Sequence, residues 1–236
     1  MSVQPRRATR SASATDTVRL SGVGFGYAST HRALRDVNLT LPSGSFHFLT
    51  GPSGAGKSTL LKLLTLQERP DAGTLHLFGE DATMAPRRDL PGFRRRTGVV
   101  FQDFRLLNHL SVFDNVALPL RLSGGKQIDY AADVEEMLDW VGLGDRMNDL
   151  PPSLSGGEQQ RLAIARAVVA GPDLILADEP TGSVDAEMGE RLLKLFQTLN
   201  RLGTTVLIAS HDEALAERSG ATLLRLEGGR LSGGEA

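Results

Sequence analysis

Residues 51–58 read Gly-Pro-Ser-Gly-Ala-Gly-Lys-Ser and could wrap a phosphate chain. Gly51, Gly54 and Gly56 let successive backbone N–H groups converge on phosphate oxygens without a clashing Cβ, and Pro52, Ser53 and Ala55 complete the loop. Lys57 supplies a compact positive charge for the β- and γ-phosphates. Ser58 offers a hydroxyl to Mg²⁺, and Thr59 can reach the α-phosphate. A second string, Leu174-Ile175-Leu176-Ala177-Asp178-Glu179, ends an apolar run in two adjacent carboxylates. Successive strand side chains point to opposite faces, so the two acids are expected to do different jobs. Asp178 is suited to holding Mg²⁺ through water, and Glu179 to polarising an attacking water. Taken alone, the pair could equally solvate a strand end. A third string, Leu154-Ser155-Gly156-Gly157-Glu158-Gln159-Gln160-Arg161, sets an N-cap serine and two glycines before a long helix. That is a second anion-binding helix start, although an ordinary capped helix explains it as well.

Particular elements must present these strings. Val18, Leu20, Val23, Phe25 and Tyr27 alternate around a break at Ser21–Gly22, which predicts a strand with a bulge or turn. Val37, Leu39 and Leu41 predict a second, antiparallel strand. Residues 46–50 form a short buried strand feeding the glycine loop, and leucines at 60, 61, 63, 64 and 66 predict a helix over 57–67. Strands follow at 74–78 and 98–101, with helices at 112–122, 128–141 and from Ser155 to about Ala170. The chain then alternates: strand 173–178, helix 185–201, strand 204–209, helix 212–217, strand 222–226. Such alternation implies an α/β fold whose parallel sheet is wrapped on both faces. A helical segment over roughly 86–160 interrupts it.

Composition narrows the function classes. The 236 residues carry a formal net charge of -2, so no global field points to nucleic acid or to an anionic membrane. With no cysteine, disulfides, thiolate metal sites and cysteine nucleophiles are excluded. No apolar run approaches the roughly 18 residues that span a bilayer, and no hydrophobic block follows the N-terminal arginines. A soluble protein, or one held at a membrane through a partner, is expected. Residues 1–15, with Arg6, Arg7, Arg10 and no acid, are expected to be a disordered basic tail ahead of a folded domain over 16–236.

The three strings, in the chain order glycine loop, serine-glycine string, acid pair, resemble the ABC ATPases, for which Leu-Ser-Gly-Gly-Glu is the distinctive signature. The resemblance spans about residues 18–230. It implies a P-loop NTPase core of the ABC ATPase type, with an antiparallel β subdomain and a helical subdomain inserted at about 86–160. It implies ATP and Mg²⁺ as ligands. It also assigns further residues: Tyr27 to stack on adenine, Gln102 to sense Mg²⁺ and the γ-phosphate, Asp185 to the segment after the catalytic glutamate, and His211 to the γ-phosphate. Three of them have a plainer alternative: Tyr27 as a core aromatic, Gln102 as a solvated loop amide, His211 as a helix cap. One departure is local, Gly182-Ser183-Val184-Asp185 standing where Asn-Leu-Asp or Ala-Leu-Asp is usual.

In this family the signature of one copy closes over ATP held by a second copy. The resemblance therefore implies a head-to-tail homodimer in which Ser155, Gly156, Gly157 and Glu158 face the other chain's Lys57. Within the family, Val99-Val100-Phe101-Gln102-Asp103-Phe104-Arg105-Leu106-Leu107 and the stretch 111–121 are most similar to the cell-division, FtsE-type branch. That branch implies an integral membrane subunit of the FtsX type, a place on the cytoplasmic face of the inner (plasma) membrane, and indirect coupling to cell-wall hydrolases. ATPases of lipoprotein-releasing (LolD-like) and MacB-type exporters share Asp-Glu-Pro-Thr-Gly at 178–182 and are the nearest alternative. A nucleotide-gated division scaffold is another.

Overall fold

The computed structural model describes residues 16–28, 31–182 and 184–233. The expected tail over 1–15 lies outside them, as does Ser183. The chain begins with β1 (Val18–Ala28), β2 (His31–Leu41), β3 (Phe46–Thr50), α1 (Lys57–Leu64), β4 (Ala72–Leu77) and β5 (Glu80–Asp81). It continues through α2 (Leu90–Arg95), β6 (Thr97–Val100), α3 (Val112–Leu122), α4 (Gln127–Trp140) and α5 (Gly156–Val168). It closes with β7 (Leu174–Asp178), α6 (Ala186–Arg201), β8 (Thr205–Ala209), α7 (Glu213–Arg218), β9 (Thr222–Glu227) and β10 (Arg230–Ser232).

Two sheets result. A four-stranded antiparallel sheet has the order β2-β1-β4-β5. The β1–β2 register slips between Leu20 and Val23, so the expected break at Ser21–Gly22 is a bulge. A six-stranded sheet has the order β10-β9-β3-β8-β7-β6, parallel from β9 to β6, with β10 antiparallel at its edge. Among the described residues no helix is long and apolar enough to cross a membrane.

The parallel strands are apolar on both faces because each face has its own cover. Leu49, Leu174, Leu176 and Leu207 point to one side and pack with α1 and the antiparallel sheet through Leu63, Leu20 and Leu39. Their neighbours Phe48, Ile175, Val206 and Ile208 point to the other and pack with Phe196 of α6 and Ile164 of α5. A third cluster joins α3, α4 and α5 through Val116, Tyr130, Val134, Leu138 and Leu162. Helix α5 contributes to both of the last two clusters, so it fastens the α3–α4 layer to the sheet.

Some boundaries differ from expectation. Helix α1 stops at Leu64 rather than 67 because Leu66 turns left-handed (φ 54°), and the Gln67 N–H caps the Lys62 carbonyl at 2.9 Å. Helix α2 lies in a stretch whose arginines mask its helical pattern, with Pro91 in its first turn. Strands β5 and β10 are short and are held by backbone pairing to β4 and β9, which sequence periodicity does not reveal.

Candidate functional site

Four parallel strands end side by side, and each hands a functional segment to the same edge. The order β3-β8-β7-β6 aligns Leu49 with Ala209, Ala209 with Asp178, and Ala177 with Val100. The residues that follow are therefore the glycine loop 51–56 after β3, Ser210–His211 after β8, Asp178–Glu179 at the end of β7, and Gln102 beyond β6. Loops at the carboxyl edge of a parallel sheet are where α/β proteins bind ligands. A cavity of about 640 Å³ lies there, and Tyr27, Gln102, Asp178, Glu179 and His211 are among the residues that line it. Ser53, Gly54, Ala55, Gly56, Lys57, Ser58 and Thr59 line it as well.

The glycine loop is shaped by close backbone approach. Gly51 has φ 143°, and a Cβ there would collide with the Leu226 carbonyl oxygen of β9. Lys57 opens α1 and folds back, donating from Nζ to the carbonyls of Gly51 (2.7 Å) and Pro52 (3.3 Å). That holds the ammonium over the loop. Tyr27 is half exposed at the rim. Its ring stands edge-on to Phe25, its hydroxyl lies 3.3 Å from Thr59 Oγ1, and the Lys62 ammonium sits 5.3 Å from its centroid. An exposed aromatic face braced this way is free to stack on a planar ring.

The two carboxylates sit in different surroundings. Burial pushes the Asp178 carboxyl above its ordinary range; the neighbouring Glu179 charge adds to this, while the Ser58 hydroxyl hydrogen bond and Lys57 oppose it. Strand β7 ends at Asp178, so Glu179 is not the next strand residue that simple alternation predicts. It turns left-handed, with φ 50°. A bulky residue there costs on the order of 1–3 kcal/mol and is held by its neighbours. The Glu179 N–H donates to the Ala209 carbonyl (2.9 Å), Ser210 Oγ donates to Oε2 (3.1 Å), and His211 Nδ1 lies 2.9 Å from Oε1. The glutamate side chain is 16% exposed and the histidine 75%, so the imidazole reaches outward from a recessed acid.

Among the described residues no group of three or more histidines, cysteines or acids forms a self-contained metal cage. The hydroxyl of Ser58 bonded to Asp178, with the Gln102 amide lining the same space, is a sparse set of hard oxygen donors. Such a set fits Mg²⁺, which commonly takes one or two protein oxygens and completes its shell with phosphates and water.

The signature residues lie elsewhere. Ser155 is the N-cap of α5 in a reciprocal box: its N–H donates to Glu158 Oε2 (2.8 Å), and the Glu158 N–H donates to Ser155 Oγ (3.3 Å). Ser155 and Gly156 are exposed, and neither they, Gly157 nor Glu158 line the chain's own cavity. Asp185 caps α6 by accepting from the Met188 N–H at 2.8 Å, also outside the cavity. Sequence reasoning missed Ser210, the second anchor of Glu179, and assigned no part to Gln160, which lines the cavity. The signal for Gln160 was available: it occupies the buried stripe that continues through Ile164 and Ala167.

Beyond Gln102 the chain makes a tight turn. Phe104 and Arg105 both have positive φ (57° and 49°), and Arg166 of α5 donates to their carbonyls at 2.7 Å each. The Arg105 guanidinium stacks on Phe101 at 4.0 Å and bonds Asp103. Beside this turn a groove of about 600 Å³ runs between α2, α3 and α5, lined among others by Arg94, Phe101, Leu107, Leu118, Leu122 and Arg166.

The sequence profile of the ABC transporter family matches residues 34–182. The cell division ATP-binding protein FtsE of Escherichia coli (strain K12) is 46% identical over 92% of this chain and 98% of its own. The FtsE proteins of Mycobacterium tuberculosis and Bacillus subtilis are 43% and 37% identical, covering 91% and 90% of this chain and 94% and 93% of theirs. Among solved structures, the dimeric bacterial ABC transporter cassette MJ0796 superposes with a TM-score of 0.86 at 33% identity, over 93% of this chain and 99% of that one. A dimeric post-hydrolysis state of the same cassette, bound to ADP and Pi, gives 0.85 at the same identity and coverage.

Proposed function

The chain belongs to the ABC transporter family as an ATPase of the ABC type, and from that premise we propose that it acts as a head-to-tail pair driving a membrane partner in bacterial cell division. One observation carries the paired reading. The cavity gathers Tyr27, the loop residues Ser53 to Thr59, Gln102, Asp178, Glu179 and His211, while Ser155 and Gly156 stand exposed outside it. Each chain thus has an unfinished ATP site and an unused anion-binding helix start, which a two-fold pair would satisfy together. The resemblance to dimeric cassettes supports the same arrangement.

Within the site, Tyr27 stacks on the adenine, and the glycine loop with Lys57 cradles the phosphates. Ser58 and Asp178, with Gln102, hold the Mg²⁺, which neutralises phosphate charge when bound. Glu179 orients the attacking water, recessed enough to keep its carboxylate aimed, and His211 reaches outward to the γ-phosphate. Ser210, donating to Oε2, holds the Glu179 carboxylate in place. ATP binding closes the pair, and loss of the γ-phosphate reopens it.

The partner is an integral membrane protein of the FtsX type, coupled onward to cell-wall hydrolases, with this chain on the cytoplasmic face of the inner membrane. The naming of its relatives supports the division role. The groove between α2, α3 and α5 supports a docked segment of the partner, because its wall is the turn that begins at Gln102. The α3–α4 layer would then act as the inserted helical subdomain that carries the motion.

The test is a Glu179→Gln variant. It should keep ATP, lose about 10²–10⁴-fold in hydrolysis, and sediment as a dimer with ATP but not with ADP. A chain that stays monomeric with ATP at high concentration sinks the paired site. The same ATP-bound variant, recovered from its own membranes, should bring an FtsX-type protein with it. Recovery of a lipoprotein-exporter subunit instead would overturn the division role.

A further inference from the structure

We propose that Gln160 is a γ-phosphate-reading residue of the chain's own ATP site, so that α5 touches both ATPs of a pair: its exposed cap the other chain's, its buried flank its own. The inference rests on the ATP site proposed above.

Gln160 is 1% exposed, and its amide nitrogen has no hydrogen-bond partner. Leaving a buried donor unpaired is unfavourable, so an amide retained there without a partner points to an acceptor supplied from outside the chain. It does not face apolar packing alone. It lines the nucleotide cavity together with Gln102, Asp178, Glu179 and His211.

The placement follows from the fold. Helix α5 packs against β6, and a Cβ on Gly98 would collide with the Ala167 carbonyl oxygen, so Gly98 lets the end of α5 lie directly on the start of β6. Helix and strand run oppositely. From Ala167 back to Gln160 is about 10 Å at 1.5 Å per residue. From Gly98 forward to Phe101 is about 10 Å at 3.3 Å per residue. Gln160 is thus level with the carboxyl edge of the sheet, beside the Gln102 segment. Gln102 and His211, which line the same cavity, are the residues assigned above to the Mg²⁺ and the γ-phosphate, so a terminal phosphate would lie within reach of this segment. The amide N–H would find its missing acceptor in a γ-phosphate oxygen or in the water shell around it, and ADP would leave it unpaired. Neighbouring Gln159 is already committed, donating to the Leu154 carbonyl at 3.0 Å.

The test is equilibrium binding of Mg²⁺ with a non-hydrolysable ATP analogue, and separately with ADP, to the full chain and to Gln160→Met. Methionine keeps the length and the apolar stem and removes the donor. The analogue's Kd should rise about tenfold and ADP's should stay within twofold, because a hydrogen bond to a charged acceptor is lost only where the γ-phosphate is present. The thermal midpoint should hold or rise, as an unpaired buried N–H is removed. Equal weakening of both nucleotides, or no change in either, overturns the inference and leaves Gln160 as a packing group. Should Gln160→Met not fold, Gln160→Glu decides. Its anionic oxygen should weaken the analogue more than ADP, and the deficit should shrink as the pH falls; equal effects overturn the inference. If the unaltered chain binds neither nucleotide, the ATP site itself is wrong.

Discussion

Replacing Arg166 by methionine should loosen the turn after Gln102 without unfolding the protein. The guanidinium makes two 2.7 Å hydrogen bonds to the carbonyls of Phe104 and Arg105. Bonds from a charged donor contribute about 1.5–3 kcal/mol each. Both carbonyls lie near solvent and can rehydrate, and burial of the guanidinium, which lowers its pKa, offsets part of the gain. A net loss of about 2 kcal/mol follows. Two adjacent left-handed residues then have less to hold them, and Arg105 keeps only its contacts with Phe101, Asp103 and Gln67. At 1.4 kcal/mol per tenfold, 2 kcal/mol corresponds to roughly 30-fold more frequent opening. Amide hydrogen exchange measures this directly. Amides over 101–107 should exchange about 30-fold faster, while those of β3, β7 and β8 keep their rates. ATP turnover should fall with nucleotide affinity little changed. Unchanged exchange over 101–107, or an acceleration spread evenly through the core strands, would refute the clamp.

Three further outcomes are expected. Gly51→Ala should abolish ATP binding and lower stability by about 1–3 kcal/mol, measured by nucleotide titration and thermal melting, because the new Cβ meets the Leu226 carbonyl oxygen at a positive φ. Tyr27→Ala should raise the Kd for ATP and ADP alike, by an amount matching about 1–3 kcal/mol of lost stacking, while Tyr27→Phe stays near the unaltered protein; a selective effect on ATP would argue against an adenine platform. His47 on β3 is 6% exposed, both its ring nitrogens lack partners, and burial lowers its pKa from 6.5. The unfolded chain therefore takes up a proton below pH 6.5 before the folded one does, so stability is lost as the pH falls through that window. His47→Leu should melt higher than the unaltered protein by a margin that grows from pH 7 to pH 5, and a margin independent of pH would count against the buried neutral imidazole.

Much of this protein was decided by its sequence alone. The glycine loop, the acid pair and the signature are contiguous strings, and local chemistry suffices to recognise them, because turn, cap and helix start are set by neighbours a few residues apart. Short buried runs bounded by turn residues gave the central strands 46–50 and 205–209 nearly to the residue for the same reason. Strands held by backbone pairing alone, such as β5 and β10, left no such trace, and the arginines of 86–96 hid α2. What sequence could not decide was how distant segments meet. The order β3-β8-β7-β6 brings residues from 51 to 211 to one edge, and that follows from strand pairing across the whole chain. The left-handed backbone of Glu179 is set by Ala209 and Ser210, thirty residues away. Only the packing of α5 on β6 shows that the signature cap faces outward while Gln160, five residues on, faces in. Which side of a helix is buried and which waits for a partner depends on its neighbours in space, and those exist only once the chain is folded.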